Sequence, residues 1–414
     1  MEKKKTNLQL LLLLCLNCFT FALISNIPGA LLPYWKDSFH LSSMLLTFLG
    51  SAFFLAYGLT SLPQGVLLDR IGNKKTFLWG ISLVFLGSTI FALVPRYEVG
   101  LISLFVIGTG VTVQQMVGNL LVKKIDDDET KYSRNLTLIQ IFCGIGGLGG
   151  GFLISFLIKD MGLQWQSIYY LFTALAFLVA ALIFSTNIPE NTSTNDEKPT
   201  IKDYIALAKN PLMTIFALGI FIYVGIEVGI ATWISTFLVD KHGSLKSTAA
   251  QIVGLYWGFQ AIGRFTGGII LNYLNTSKAL ILYSLGCLIS LIFAVISPSA
   301  YICAISFISV GFFTSIMFPS IFSLTINSFD KKEEGTVAGV LCTTVAGGAI
   351  VAPIIGFLAN VTSLGTSLII VSTIAFGYIA FLGFKTLPKT MALETLGKNK
   401  TTEVESSSQL SNIN

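Results

Sequence analysis

The sequence predicts an all-α membrane protein of twelve transmembrane helices in two six-helix bundles, with the N- and C-termini cytoplasmic. Three observations predict it. The 414-residue chain is 53% hydrophobic and only 11% charged, with a mean hydropathy of +0.76, against the roughly 25% charge of soluble domains. Its apolar residues gather in runs near the about 20 residues that a helix needs to cross the hydrocarbon layer with its backbone groups paired internally. The runs form two similar sets about 200 residues apart, the pattern of a transporter built from two repeats around a site near the midplane.

The first six spans are expected at 8–32, 44–68, 76–94, 99–122, 136–158 and 167–188. Span one follows Lys3, Lys4 and Lys5 and so imitates a secretory leader. Its apolar stretch outruns the about 7 to 15 residues of a leader core, and no clean small-residue cleavage site follows. The second six are expected at 212–239, 248–274, 278–296, 301–327, 336–360 and 364–384. This divides the chain into a bundle at 1–188, a cytoplasmic linker at 189–210, a second bundle at 211–388 and a tail at 389–414. The linker is polar from Asn191 to Glu197, and the Ser-rich tail is expected to be disordered.

Basic residues set the orientation, since short cytoplasmic loops hold them. Apart from Lys36, Arg96, Lys159, Lys241, Lys246 and the intramembrane Arg264, every lysine and arginine falls on the side of the N-terminus. The net charge of +5 is therefore a topology signal and not a nucleic-acid patch. All six cysteines lie within the predicted spans, without disulfide or metal-ligand spacing, and read as small apolar filler.

Gly110 and Met116 in span four match Gly311 and Met317 in span ten, Gly146 and Gly147 in span five match Gly347 and Gly348 in span eleven, and Gly65 matches Gly268. Gly144, Gly146 and Gly149 spell a literal GxGxxG, but without a strand before it or a soluble βαβ unit around it the motif has no dinucleotide reading. Glycines there let helix backbones approach and slide. No cofactor and no metal is expected.

Glu227 is the one acid deep in a span. A charge at that depth costs about 2.5 to 3.5 kcal/mol on insertion scales and marks either a pair or a function. By helical rise Glu227 lies about 20 Å from the end of its span at Asp240, and Arg264 about 24 Å from the matching end of span eight. An ion pair between them is one reading; a cavity-facing Glu227 that binds a proton or a substrate hydroxyl is the other. Asn26, Gln115, Asn119 and Gln140 in the first half, with Gln260 in the second, offer hydrogen bonds suited to a neutral polyhydroxylated solute. Tyr223, Trp233, Tyr256 and Trp257 offer aromatic faces for a sugar ring. Interhelical hydrogen bonding is the bland alternative for each amide.

Between spans two and three the chain reads Gly65-Val-Leu-Leu-Asp69-Arg70-Ile-Gly72-Asn-Lys74-Lys75. This GxxxDRxGxKK pattern resembles the loop signature of the major facilitator superfamily, which implies a cytoplasmic gate built on Gly65, Asp69, Arg70, Gly72, Lys74 and Lys75. The runs 221–233, 255–265 and 315–323 resemble the fucose and glucose/galactose permease branch of that superfamily. That resemblance implies a sugar carrier driven by protons or, in some members, sodium. Two of the branch's protonatable positions are absent: Gly29 stands where span one would carry an acid, and Gln115 begins the span-four motif. Coupling is thereby moved onto Glu227, with Arg264 as its charged neighbour.

The expected function is secondary transport of a small neutral sugar, a hexose or deoxyhexose, by a monomer in a bacterial cytoplasmic membrane. Efflux of amphipathic compounds and uncoupled facilitation are the alternatives. Enzymatic chemistry is not expected, because His40 and His242 both fall in predicted external loops, and without a P-loop ATP-driven transport is not expected either.

Overall fold

Backbone pairing inside each apolar run yields helices in the predicted order. The structure, a computed structural model, describes residues 2–122, 129–189, 206–271, 273–326, 328–329 and 334–411. The side chains of Asp69, Asn119 and Gln140 and the linker at 190–205 lie outside that description. Spans one to six are Glu2–Phe39, Ser43–Ile71, Asn73–Leu93, Tyr97–Val122, Glu129–Ile154 and Ser167–Ser185. Spans seven, eight and nine are Pro211–His242, Lys246–Ile270 and Thr276–Ile296. Span ten is broken into Ala300–Thr314 and Met317–Ile326. Span eleven is likewise interrupted, with a tight 3-10 turn over Thr344–Ala349 between Glu334–Thr343 and Val351–Val361. Span twelve starts at Leu364 and its backbone stays helical to Ser411, through the segment expected to be disordered.

Among the described residues, 11 helices are long and apolar enough to cross a membrane. The one predicted span outside that set, span eight at Lys246–Ile270, is long enough at 25 residues but is diluted by Gln251, Gln260 and Arg264. It nevertheless packs between spans five and ten, which buries Gln260 in protein and leaves Arg264 exposed.

The internal repeat is visible in how backbones touch. A Cβ added at Gly146 would sit 2.3 Å from the carbonyl oxygen of Phe19 in span one, and one at Gly347 would sit 1.9 Å from that of Phe221 in span seven. Each glycine thus lets the fifth helix of its half lie directly on the first. The span-four match needs a correction of register. A Cβ added at Gly108 would lie 2.3 Å from the carbonyl oxygen of Phe53, as one at Gly311 would from that of Tyr256, whereas one at Gly110 would meet Gly80 in span three. Sequence identity aligned the wrong glycine because two lie a turn-fraction apart.

The halves meet in two equivalent seams. Gly147 lies against Trp257 and Asn26, and Gly348 lies against Phe54 and Val228. Gly144 faces Ala261 on one seam and Gly58 faces Ala346 on the other. Small residues are what allow such backbone approach where lipid supplies no hydrophobic drive. The cysteine reading also needs correction: Cys18 and Cys143 form a disulfide between spans one and five, with Cα atoms 5.0 Å apart. The cause is the Gly146–Phe19 contact, which brings the two helices together one turn away. Cys15, Cys287 and Cys303 are buried and free, as apolar filler should be.

These contacts rank the glycines. Gly347→Ala lowers stability by about 1 to 3 kcal/mol through overpacking against fixed backbone, while Gly149→Ala, which would meet nothing within 4 Å, gains about 0.5 to 1 kcal/mol of helix propensity. Thermal unfolding in detergent checks the pair; equal shifts would contradict the packing.

Candidate functional site

Near the middle of span seven, Glu227 is 8% exposed, and Tyr223 one turn earlier is wholly buried. The spacing of four puts both on one helix face. The Tyr223 hydroxyl donates to Glu227 Oε1, and Gln260 Nε2 on span eight donates to the same oxygen. Tyr256, one turn before Gln260, donates its hydroxyl to the Glu227 main-chain oxygen at 3.2 Å. On the other side Tyr223 Oη lies 3.0 Å from the carbonyl oxygen of Thr314 in span ten. Three helices therefore converge on one carboxyl group.

Arg264 is exposed and makes no ion pair with Glu227 among the described residues. Its Nη2 donates to Gln260 Oε1 at 3.3 Å, so the cation reaches the acid only through an amide. Matching depth along two helices was a sound inference, but the Gln260 side chain occupies the direct line. Among the described residues the hydrogen bonds to the Glu227 carboxyl come from neutral donors, and the Arg264 charge acts on it only from a distance.

Of the first-half candidates, Asn26 reaches a recess beside this cluster. Asn26, Phe54, Val228, Thr232 and Trp257 line a recess of about 20 Å³ where the halves meet, room for one water. Val228 follows Glu227 and so presents a face rotated by about 100°. The Trp257 indole N–H is buried without a partner among the described residues, a donor aimed into the meeting of the halves. Gln115 is half-buried on span four. Its neighbour Gln114, which sequence reasoning passed over, is fully buried with both amide atoms unpartnered among the described residues; the Gln-Gln doublet was the available signal.

Three aromatic candidates serve the frame. Trp233 donates to the Ala352 carbonyl at 2.9 Å and packs under Gly356, which turns it into span eleven and away from the recess. Tyr223 and Tyr256 are buried against Glu227 and offer no open ring face. Gly29 explains the missing span-one acid: a Cβ there would lie 2.6 Å from the Ala231 carbonyl oxygen, so no side chain fits.

The loop motif is built into the first bundle. Gly72 adopts φ 84° and ends span two, a left-handed conformation that favours glycine. Lys74 donates to the carbonyls of Phe184 and Thr186, each at 2.9 Å, and so covers the C-terminal end of span six, where a cation is favoured. Asn73 donates to the Pro189 carbonyl at 2.7 Å. Arg70 and Lys75 are exposed. At the opposite end of the molecule, which sequence reasoning left unassigned, Lys36 pairs with Asp240 at 3.4 Å and Lys246 pairs with Asp37. Both pairs cross from span one to the second half and hold that end shut.

The sequence profile of the Major Facilitator Superfamily matches residues 13–353. The chain belongs to that superfamily. It is a multi-pass membrane protein of a transporter family and not an enzyme. It is 32% identical over 382 residues to the glucose/galactose transporter of Brucella abortus, covering 88% of this chain and 91% of that one. It is 26% identical over 383 residues to the L-fucose-proton symporter of Escherichia coli, covering 84% and 86%. The crystal structure of the E. coli fucose:proton symporter shares the fold, with a TM-score of 0.65 at 23% identity over 90% of this chain and 97% of that one.

The crossing pairs generate a testable outcome. Lys246→Asp opposes Asp37 and raises maleimide labelling of a cysteine placed at Thr232 up to about fivefold, the worth of an exposed ion pair. Adding Asp37→Lys restores slow labelling; a double variant that stays fast would exclude the pair as a closure.

Proposed function

We propose that the chain moves a neutral hexose across the bacterial cytoplasmic membrane by alternating access, coupled to a proton carried on Glu227, with its termini in the cytoplasm. The observation that carries the coupling is the set of neutral donors around Glu227. A buried carboxylate clamped in a direct ion pair resists protonation, whereas one held by a phenol and an amide exchanges a proton with little rearrangement. The likeness to a glucose/galactose transporter and to a fucose-proton symporter supports the substrate class and the driving ion.

Sugar recognition is assigned to the recess where the halves meet. Asn26 and Gln115 from the first half and the unpartnered Trp257 N–H from the second supply donors and acceptors for ring hydroxyls. The recess is too small for a hexose in this closed arrangement, so the halves must part by rocking before sugar enters. Asn119 and Gln140 extend the amide set along spans four and five. The bias of basic residues toward the end that carries the termini supports the orientation.

Reconstituted protein given a panel of labelled hexoses, with a pH gradient, a sodium gradient or neither, tests the reading. Accumulation of at least one hexose with the pH gradient alone is expected; equilibration without accumulation would make the chain an uncoupled facilitator. Glu227→Gln abolishes proton-driven accumulation and leaves counterflow measurable. Accumulation unchanged in that variant removes Glu227 from the coupling step.

A further inference from the structure

Tyr223 has one hydroxyl proton and two acceptors in reach. Its Oη contacts Glu227 Oε1 on its own helix and stands 3.0 Å from the Thr314 carbonyl oxygen. A phenol donates one hydrogen bond at a time but also accepts, so the two contacts are alternatives. Thr314 is the last residue of the first segment of span ten, directly before the break at Ser315 and Ile316. The Tyr223 ring also stands 6.3 Å from Phe318 on the second segment. The phenol is fully buried, so water does not compete for it.

We propose that Tyr223 is a two-position hydrogen-bond switch that reports the charge of Glu227 to the broken helix of span ten; this rests on the proton reading above. With Glu227 ionised, Tyr223 donates to the carboxylate, because a charge-assisted bond is roughly twice as strong as a neutral one. When a proton binds, the carboxyl becomes a donor and Tyr223 Oη accepts from it. The tyrosine proton then turns about its C–O bond onto the Thr314 carbonyl. No proton leaves Tyr223, and the only proton gained is the one on Glu227. Span ten thereby acquires a hydrogen bond at its break in the protonated state and loses it in the ionised one.

The groups facing Glu227 leave this route open. Span eight brings Tyr256, Gln260 and, through Gln260, Arg264. Span nine brings the buried Cys287, and span ten brings the Thr314 carbonyl. Spans one, eleven and twelve also pack on span seven but bring no charged side chain to the carboxyl among the described residues. Tyr256 meets the Glu227 main-chain oxygen and the Thr314 side chain and not the carboxyl itself, and Gln260 donates whichever charge the acid has. Among the described residues, only Tyr223 joins the carboxyl group to span ten through a hydroxyl that can reverse its bond. It is a positioning residue and need not touch sugar.

Hydrogen–deuterium exchange of the full chain in detergent, corrected for the intrinsic pH dependence of exchange, reads the switch at residues 314–326. Wild type exchanges severalfold more slowly there at acid than at alkaline pH. Glu227→Gln fixes the slow pattern at every pH, and Tyr223→Phe shows no pH response while its other helices exchange as in wild type. A pH response that survives in Tyr223→Phe overturns the switch even where Glu227→Gln has abolished accumulation. Accumulation that survives in Glu227→Gln instead overturns the proton reading beneath it. If Tyr223→Phe does not fold, 3-fluorotyrosine placed at 223 is a stronger donor to the carboxylate and moves the exchange transition to lower pH; an unmoved transition overturns the proposal.

Discussion

A carboxyl group buried in a membrane-spanning helix without a direct counter-cation must be satisfied by neutral donors, and that requirement fixes the second half of this molecule. Leaving Glu227 unsatisfied at 8% exposure would cost several kcal/mol. Its partners come from its own helix and from span eight, and Tyr223 ties the same group to span ten. Their rotations about their axes are therefore linked: turning span eight moves Gln260, and turning span ten moves the Thr314 carbonyl. The interruptions in spans ten and eleven beside this cluster are tolerable because protein and not lipid surrounds them.

The two halves share a frame but not a chemistry. Glycines at matched positions seat span five on span one and span eleven on span seven through the same kind of carbonyl contact. In that register Ser25, Phe21 and Phe53 stand where the second half has Glu227, Tyr223 and Tyr256. The first half therefore cannot build a second acid cluster, and Gly29, closed against Ala231, leaves no space for one nearby. Its contribution to the recess is uncharged: Asn26 and an aromatic wall at Phe54.

Much of this was legible in the sequence because lipid reduces the possibilities for a backbone to one. Apolar run length gave the spans, and Glu227 stood out as the one acid deep in any of them. What stayed hidden depended on rotation and register. Depth along the helix brought Glu227 and Arg264 level, yet only coordinates show Gln260 between them. Trp233 lies on the same span as Glu227 but turns toward Ala352, a difference of azimuth that hydropathy does not record. The Cys18–Cys143 bond needed the crossing point of two helices that are distant in sequence. The break after Thr314 carries no glycine or proline at the break itself, and the nearest proline, Pro319, lies a turn beyond it.

The Lys36–Asp240 and Lys246–Asp37 contacts are wetted, unlike anything at Glu227. Dissolved ions screen such pairs over about 8 to 10 Å at ordinary salinity while leaving the buried cluster untouched. The resting preference of the molecule is thus set partly by the electrolyte bathing one face of the membrane. A drop in salinity there tightens the shut arrangement, and brine loosens it, without any change in the sugar or proton gradient.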